Sequence, residues 1–177
     1  RCDDGDHGVP VGMDEGISEY IHKLEIERDV AALADMLFGR SGYGPWRAAA
    51  ANSLQRIGDE AAVEALIAGL QEAQGYADAR VAAAEALGRI GSARAIAPLV
   101  SALADDEWCL RRAAADALGR IGGPDVVEPL LGALLDGREG VRRAAVRGLV
   151  RARDPRAVVH LAAALQDKAW RVRKAAA

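Results

Sequence analysis

One motif returns along this chain at nearly constant spacing, and that repetition restricts the fold more than any other feature. Three stretches align: RVAAAEALGRIG from Arg80, RRAAADALGRIG from Arg111 and RRAAVRGLVRA from Arg142. A fourth copy begins at Arg47 and a truncated one at Arg173, so the leading arginines are 33, 31, 31 and 31 residues apart. A fixed period of this length indicates one structural unit stacked repeatedly on itself.

Each copy is predicted to form two helices. In the copy from Arg111, the residues at 110, 113, 114, 117, 118 and 121 are apolar and share one face of a helix. Gly122, Gly123 and Pro124 then break the pattern, because glycine caps a helix and proline opens the next one. Apolar residues at 127, 130, 131 and 134 restart the same period. The sequence therefore predicts an array of helical hairpins.

The predicted fold is an all-α solenoid, a superhelix of about five helical hairpins. Residues 14–45 are expected to form a degenerate N-terminal hairpin that caps the array, because terminal repeats have one face toward water. Residues 1–13 are predicted to be a flexible acidic tail. The predicted repeats occupy 46–78, 79–109, 110–140 and 141–171, and residues 172–177 begin a truncated repeat.

The motif resembles the HEAT-like repeats first described in phycobilisome lyases. The resemblance rests on the ALGRIG ending of the first helices, on IAPL at 96–99 and VEPL at 127–130, and on the openings at Trp108 and Trp170. It covers residues 46–177 and, loosely, residues 14–45. It implies HEAT-like hairpins. It leaves function open, because the family includes scaffolds, chromophore-lyase subunits, hydroxylases and DNA-repair proteins.

Groups for chemistry are sparse in the sequence. The histidines His7, His22 and His160 lie far apart, and the His-Glu pairs that the resemblance associates with the hydroxylases do not occur. The segment from Cys2 to His7 holds possible metal ligands, but without a framework it is expected to be a solvated tail. We therefore predict no catalytic, cofactor-binding or metal-binding residues, no enzyme activity and no small-molecule ligand.

Basic residues form two regular columns. The leading arginines could form a phosphate-binding stripe, or could tie repeats together through the acids six residues before three of them, Asp105, Asp136 and Asp167. The tie between repeats is the preferred interpretation. The second column is expected in the last turn of each first helix, where the helix dipole favours cations. It comprises Lys23, Arg56, Arg89, Arg120 and Arg151.

The charge is unevenly distributed. The formal net charge is −3, which argues against a committed nucleic-acid binder. Residues 141–177 nevertheless carry 10 basic and 2 acidic side chains. This basic end could meet an acidic protein, a phosphate backbone or an acidic repeat beyond Ala177. No apolar run approaches the roughly 20 residues that span a membrane. Two distant cysteines give no disulfide framework, so the cytoplasm is the expected compartment.

These observations favour a non-catalytic scaffold that binds another protein on the concave face. In the family that the chain resembles, the second helices usually line that face. The alternatives are a bilin lyase-type subunit, which only the resemblance suggests, and phosphate or nucleic-acid binding through the basic end. The predicted partner-binding residues are Arg28, Asp35, Glu64, Arg94, Ser101, Asp125, Glu128, Arg156 and His160.

Overall fold

The computed structural model describes residues 13–39, 44–72 and 76–177, which contain eleven α-helices and no strand. This confirms the predicted all-α solenoid of helical hairpins. The tail from Cys2 to His7 lies outside the described residues. The helices are α1 (Met13–Glu27), α2 (Val30–Phe38), α3 (Gly44–Ile57), α4 (Glu60–Gln71), α5 (Ala77–Ile90), α6 (Ile96–Ala102), α7 (Trp108–Ile121), α8 (Val127–Ala133), α9 (Glu139–Ala152), α10 (Val158–Ala164) and α11 (Trp170–Ala176).

The helices pack in two layers. The first-helix layer consists of the odd-numbered helices, each of which packs against the next from α1 to α11. The even-numbered helices form the second-helix layer, in which α2 packs on α4 and α4 on α6. Contacts of α2 with α3, α4 with α5, α6 with α7 and α8 with α9 join each hairpin to the next. This nearest-neighbour packing is what a repeat array requires.

The glycine and proline signals lie between the helices of a hairpin. Gly91 follows α5 with φ 78°, a left-handed conformation that glycine adopts without strain. Short 3₁₀ turns, Ala93–Ala95, Pro124–Val126 and Pro155–Ala157, then lead into α6, α8 and α10. Proline suits the first position of such a turn because the N–H that it lacks would have no partner there.

Other glycines allow the first helices to approach closely. A Cβ on Gly88 of α5 would lie 2.6 Å from the Cα of Ala117 in α7. A Cβ on Gly119 of α7 would lie 2.5 Å from the Cα of Gly148 in α9. Both distances are shorter than real Cβ contacts, so these helices need residues without a side chain where they cross. Glycine in the repeat motif therefore serves packing as well as helix termination.

The core follows the 31-residue period. Leu87, Leu118 and Leu149 occupy equivalent positions in α5, α7 and α9, and each is 0% exposed. Small alanines such as Ala83, Ala114 and Ala145 fill the space between neighbouring helices and are also fully buried. Large leucines alternate with alanines along each contact, so layers of helices interdigitate at high density.

Two details differ from the sequence expectations. Lys23 does not lie in the last turn of α1, because that helix continues to Glu27, whereas Arg56, Arg89, Arg120 and Arg151 do occupy last turns. Cys109 is buried at the start of α7 and is not a free thiol, whereas no disulfide framework was expected. Within the described ranges, no helix combines the length and apolarity needed to cross a membrane.

Candidate functional site

The leading arginines are used inside the array. The Nε of Arg111 donates to Oδ2 of Asp136 over 2.7 Å, and its Nη1 donates to the carbonyl oxygens of Asp105 and Asp106. Arg142 repeats this arrangement one unit later, with Nε 2.8 Å from Oδ2 of Asp167. Each arginine thus links the turn before its own helix to the turn that opens the next repeat. These contacts match the interpretation in which the leading arginines tie neighbouring repeats together.

The ion pairs keep these groups charged. The hydrogen bonds from Arg142 hold the pKa of Asp167 below its ordinary value, against the opposing effect of burial. Burial alone would raise the pKa of Asp136, but hydrogen bonds from Arg111 and the backbone N–H of Arg138 lower it. The pKa of Arg142 is raised, chiefly by its hydrogen bonds to Asp167. Asp136, Asp167 and Arg142 therefore remain ionised across the neutral range.

Of the predicted partner-binding residues, the structure brings three together in one groove and leaves the others apart. Arg28 pairs with Asp59, Arg94 pairs with Glu64, and the hydroxyl of Ser101 donates to a carbonyl of its own helix. Asp35 and Asp125 are exposed. Their role in partner binding stays a prediction. Glu128, Arg156 and His160 instead meet at one place, an open groove in the second-helix layer.

This groove, which we call the α8–α10 groove, encloses about 710 Å³. Leu131, Leu134 and Leu135 line it from α8 and the turn after it, and Ala163 and Ala164 from α10. Its lining is completed by Gly132, Asp167 and Val172, together with the three polar residues already named. A volume of this size falls within the range of small-molecule sites, which are commonly apolar with a few polar groups.

Glu128, Arg156 and His160, three polar residues of the lining, lie next to one another in the groove. Both Nε and Nη2 of Arg156 donate to the carboxylate of Asp154, over 3.0 and 2.8 Å, and Nη1 donates to Glu128 over 3.3 Å. The paired hydrogen bonds with Asp154 raise the pKa of Arg156, so it is a permanent cation. The Nδ1 of His160 lies 3.2 Å from the carbonyl oxygen of Arg156. The groove thus offers an apolar floor and a fixed positive charge.

The sequence did not single out the apolar residues of this groove. Leu135 is the clearest case, since its side chain is 88% exposed and separates the α8–α10 groove from a neighbouring one of about 400 Å³. Its position directly after Leu134, the last core residue of the period, was the available signal. A large apolar side chain beyond the end of the buried stripe indicates a surface with another use.

Family models for two kinds of repeat match the chain. The model described as HEAT repeats matches residues 70–149, and the model described as PBS lyase HEAT-like repeat matches residues 46–72 and 141–167. Together they cover a continuous stretch from 46 to 167. The chain is a HEAT-repeat protein. The resemblance that the repeat motif suggested is therefore confirmed.

A solved structure gives this HEAT-repeat protein a relative of known assembly. A chain in the complex of CpcE and CpcF of phycocyanin lyase from Nostoc sp. PCC7120 superposes with a TM-score of 0.67 and is 27% identical. The alignment covers 82% of this chain and 60% of the lyase chain, so the HEAT-repeat protein spans about three fifths of that chain's length. No curated protein matches the sequence.

These findings correct the functional predictions. The prediction of a non-catalytic scaffold is wrong, because the phycobilisome-lyase type of repeat and the likeness to a phycocyanin lyase both favour the lyase-type alternative. The prediction of no enzyme activity is wrong for the same reason, and the exclusion of a small-molecule ligand loses its support. The lack of a nucleophile or metal motif did not exclude such a function, because a groove formed by helix packing has no local sequence motif.

Proposed function

We propose that this HEAT-repeat protein is a subunit of a lyase that attaches a bilin to an acceptor protein. The observation that carries the proposal is the 27% identity, over 82% of the chain, to a subunit chain of phycocyanin lyase. The phycobilisome-lyase repeats at residues 46–72 and 141–167 support it independently.

The α8–α10 groove is the proposed bilin site. A bilin is an open-chain tetrapyrrole with a long apolar conjugated system and two carboxylates. The leucines and alanines of the groove suit the conjugated rings, and Arg156 suits a carboxylate. The hydrogen bond from Arg156 to Glu128 is its longest, at 3.3 Å, and Glu128 is exposed, so a ligand carboxylate could replace it. His160 also lines this part of the groove, with its Nδ1 3.2 Å from the carbonyl oxygen of Arg156.

The proposal includes a companion subunit. The related lyase is a complex of two proteins, CpcE and CpcF. We therefore propose that the chain acts together with a second protein. Location in the cytoplasm stays a prediction.

Reconstitution tests the proposal. The chain, a companion subunit (CpcE in one series and CpcF in another), a bilin and apo-phycocyanin are incubated together, and the acceptor is then denatured in acidic urea to release noncovalent pigment. Bilin absorbance that stays with the acceptor only when the chain is present supports a lyase role. Acceptor that remains colourless in every mixture containing the chain, while CpcE and CpcF together colour it as the positive control, contradicts the proposal.

A further inference from the structure

The outward surface of α7, α9 and α11 carries a second set of cations. Arg112, Arg143 and Lys174 are spaced 31 residues apart, and so are Arg120 and Arg151. Within the part of the chain that the structure describes, none of the five forms an ion pair. We call these five residues the basic face.

The helical period places these residues on one surface. On α7 and α9 the cations recur at intervals of eight residues, from 112 to 120 and from 143 to 151, which keeps them on one side of each helix. Midway along, Nη2 of Arg147 lies 2.7 Å from Oδ1 of Asp116 and joins the two helices. That pair neutralises Asp116, the acid that lies between Arg112 and Arg120.

The basic face differs from the rest of the first-helix layer, where arginines have acidic partners. Earlier in the first-helix layer, Arg56 pairs with Glu25 and Arg89 with Glu85. The helix dipole accounts for Arg120 and Arg151 in last turns, but gives no support to Arg112 or Arg143 in the N-terminal halves of their helices. The Nε of Arg143 is buried and has no hydrogen-bond partner among the described residues.

Apolar groups lie among the cations. Val150 is 47% exposed and follows Arg143 by seven residues, two helical turns, while Trp170 is 57% exposed and precedes Lys174 by one turn. Exposed aromatic and aliphatic groups framed by arginine are typical of protein interfaces. A long nucleic acid is disfavoured, because residues 1–40 carry −6 and residues 41–140 carry −5 and would repel it. A protein with a local acidic patch fits both observations.

We infer that the basic face docks an acidic surface of the acceptor protein that receives the bilin. The identity of this partner rests on the proposed function, whereas the docking surface rests on the charge pattern. Contact with carboxylates would neutralise the five cations. The α8–α10 groove lies in the second-helix layer, so acceptor docking and bilin binding would use different surfaces of the same repeats.

The test measures association with apo-phycocyanin by surface plasmon resonance. One variant combines Arg120→Glu, Arg151→Glu and Lys174→Glu, all at exposed positions. A matched control combines Lys23→Glu, Arg89→Glu and Lys168→Glu, which change the net charge equally at exposed positions outside the basic face. The basic-face variant is expected to bind at least about ten-fold more weakly, mainly through slower association, and to lose the salt dependence of wild type. The control is expected to bind as wild type does.

A second basic-face variant combines Arg120→Gln, Arg151→Gln and Lys174→Gln. It removes the same charges without placing acids at helix C-termini, so it is less prone to misfold. Circular dichroism confirms that each variant is folded. Equal binding by wild type and both basic-face variants overturns the inference, and so does a wild-type chain that does not bind the acceptor. Failure of the proposed function appears differently, as an acceptor that binds normally but never gains covalent bilin.

Discussion

Arg111 in α7 and Asp136 in the turn before α9 form a paired hydrogen bond, with Nε 2.7 Å from Oδ2 and Nη2 3.3 Å from Oδ1. The same pairing joins Arg142 to Asp167, and Arg80 forms an ion pair with Asp105, always across 25 residues. Because Arg111 and Arg142 also donate to carbonyls of the turn preceding their own helices, each of them holds two successive inter-repeat turns together. The period of the array is thereby set by hydrogen bonds as well as by apolar packing.

Replacing Arg111→Ala is expected to destabilise the protein by about 1–3 kcal/mol, because Asp136 would remain charged and poorly solvated without its partner. Urea denaturation followed by circular dichroism measures the change in the free energy of unfolding. Arg120→Ala is the matched control, since Arg120 is exposed and contributes about 1 kcal/mol or less through the helix dipole. Equal losses of unfolding free energy in the two variants would show that the pair of Arg111 with Asp136 contributes no more to stability than a surface charge does.

Stability is expected to fall in acid. Because the pKa values of Asp136 and Asp167 are lower in the folded protein than in the unfolded chain, their contribution is complete above the unfolded value of about 3.9. That contribution is lost as the pH falls through their folded pKa values. Urea midpoints measured from pH 6 downward should therefore drop below about pH 4. The double variant Asp136→Asn and Asp167→Asn should begin less stable and decline less steeply, whereas Asp125→Asn should decline as wild type does.

Gly119→Ala is expected to cost about 1–3 kcal/mol, because its Cβ would lie 2.5 Å from the Cα of Gly148 and would push α7 away from α9. Gly132→Ala in α8 is the control, since its Cβ would meet nothing within 4 Å. Alanine there should leave stability unchanged or raise it by up to about 1 kcal/mol, through helix propensity. Thermal unfolding of both variants checks the difference. A Gly119→Ala protein as stable as wild type would mean that the two helices are not in close contact.

The fold could be predicted from the sequence because each repeat has the same pattern of apolar, glycine and proline residues over a short stretch of chain. Leu87, Leu118 and Leu149 recur at one period, and the glycines and prolines between hairpins mark where helices stop. The pairing of Arg111 with Asp136 was harder to predict, because the acid that recurs in the repeat stands six residues before the arginine, at Asp105, and only the stacked geometry brings the acid 25 residues ahead into reach. The close approach of Gly119 to Gly148 likewise depends on how two helices cross.

The site could be predicted only in part. Glu128, Arg156 and His160 were identified from their outward positions on second helices, and they do line one groove. Leu135 was not identified, because the sequence alone does not show whether a leucine is exposed or buried. The lyase-type function was missed as the first choice for a related reason. A ligand groove between repeats uses ordinary apolar residues, so the absence of a nucleophile or metal motif gave no information about it.

Filling the α8–α10 groove is expected to block bilin binding without unfolding the protein. Ala163 lines the groove and is exposed, so Ala163→Trp places a bulky ring in the proposed site at little cost to the core. Ala61 is also exposed, on α4 and away from the grooves, so Ala61→Trp is the matched control. Titration with a bilin, followed by the change in pigment absorbance, should give at least about ten-fold weaker binding for Ala163→Trp alone. Similar affinities of Ala163→Trp and Ala61→Trp for the bilin would mean that the bilin binds outside the α8–α10 groove.

Removal of the groove cation gives an independent check. Arg156→Gln is expected to weaken binding of a bilin by about ten-fold, because a charge-assisted hydrogen bond to a carboxylate is lost. The same variant should bind the dimethyl ester of that bilin as wild type does, since the ester has no charge for Arg156 to recognise. A parallel loss of affinity for acid and ester would mean that Arg156 shapes the groove and does not bind the carboxylate.

The central claim is that this chain takes part in bilin attachment through the α8–α10 groove. The most direct measurement is the amount of bilin covalently bound to apo-phycocyanin after incubation with the companion subunit and either wild type, Ala163→Trp or Ala61→Trp. We predict that wild type and Ala61→Trp give acceptor that keeps its colour in acidic urea, and that Ala163→Trp does not. Colourless acceptor with wild type, or equal colour with all three proteins, would contradict the account.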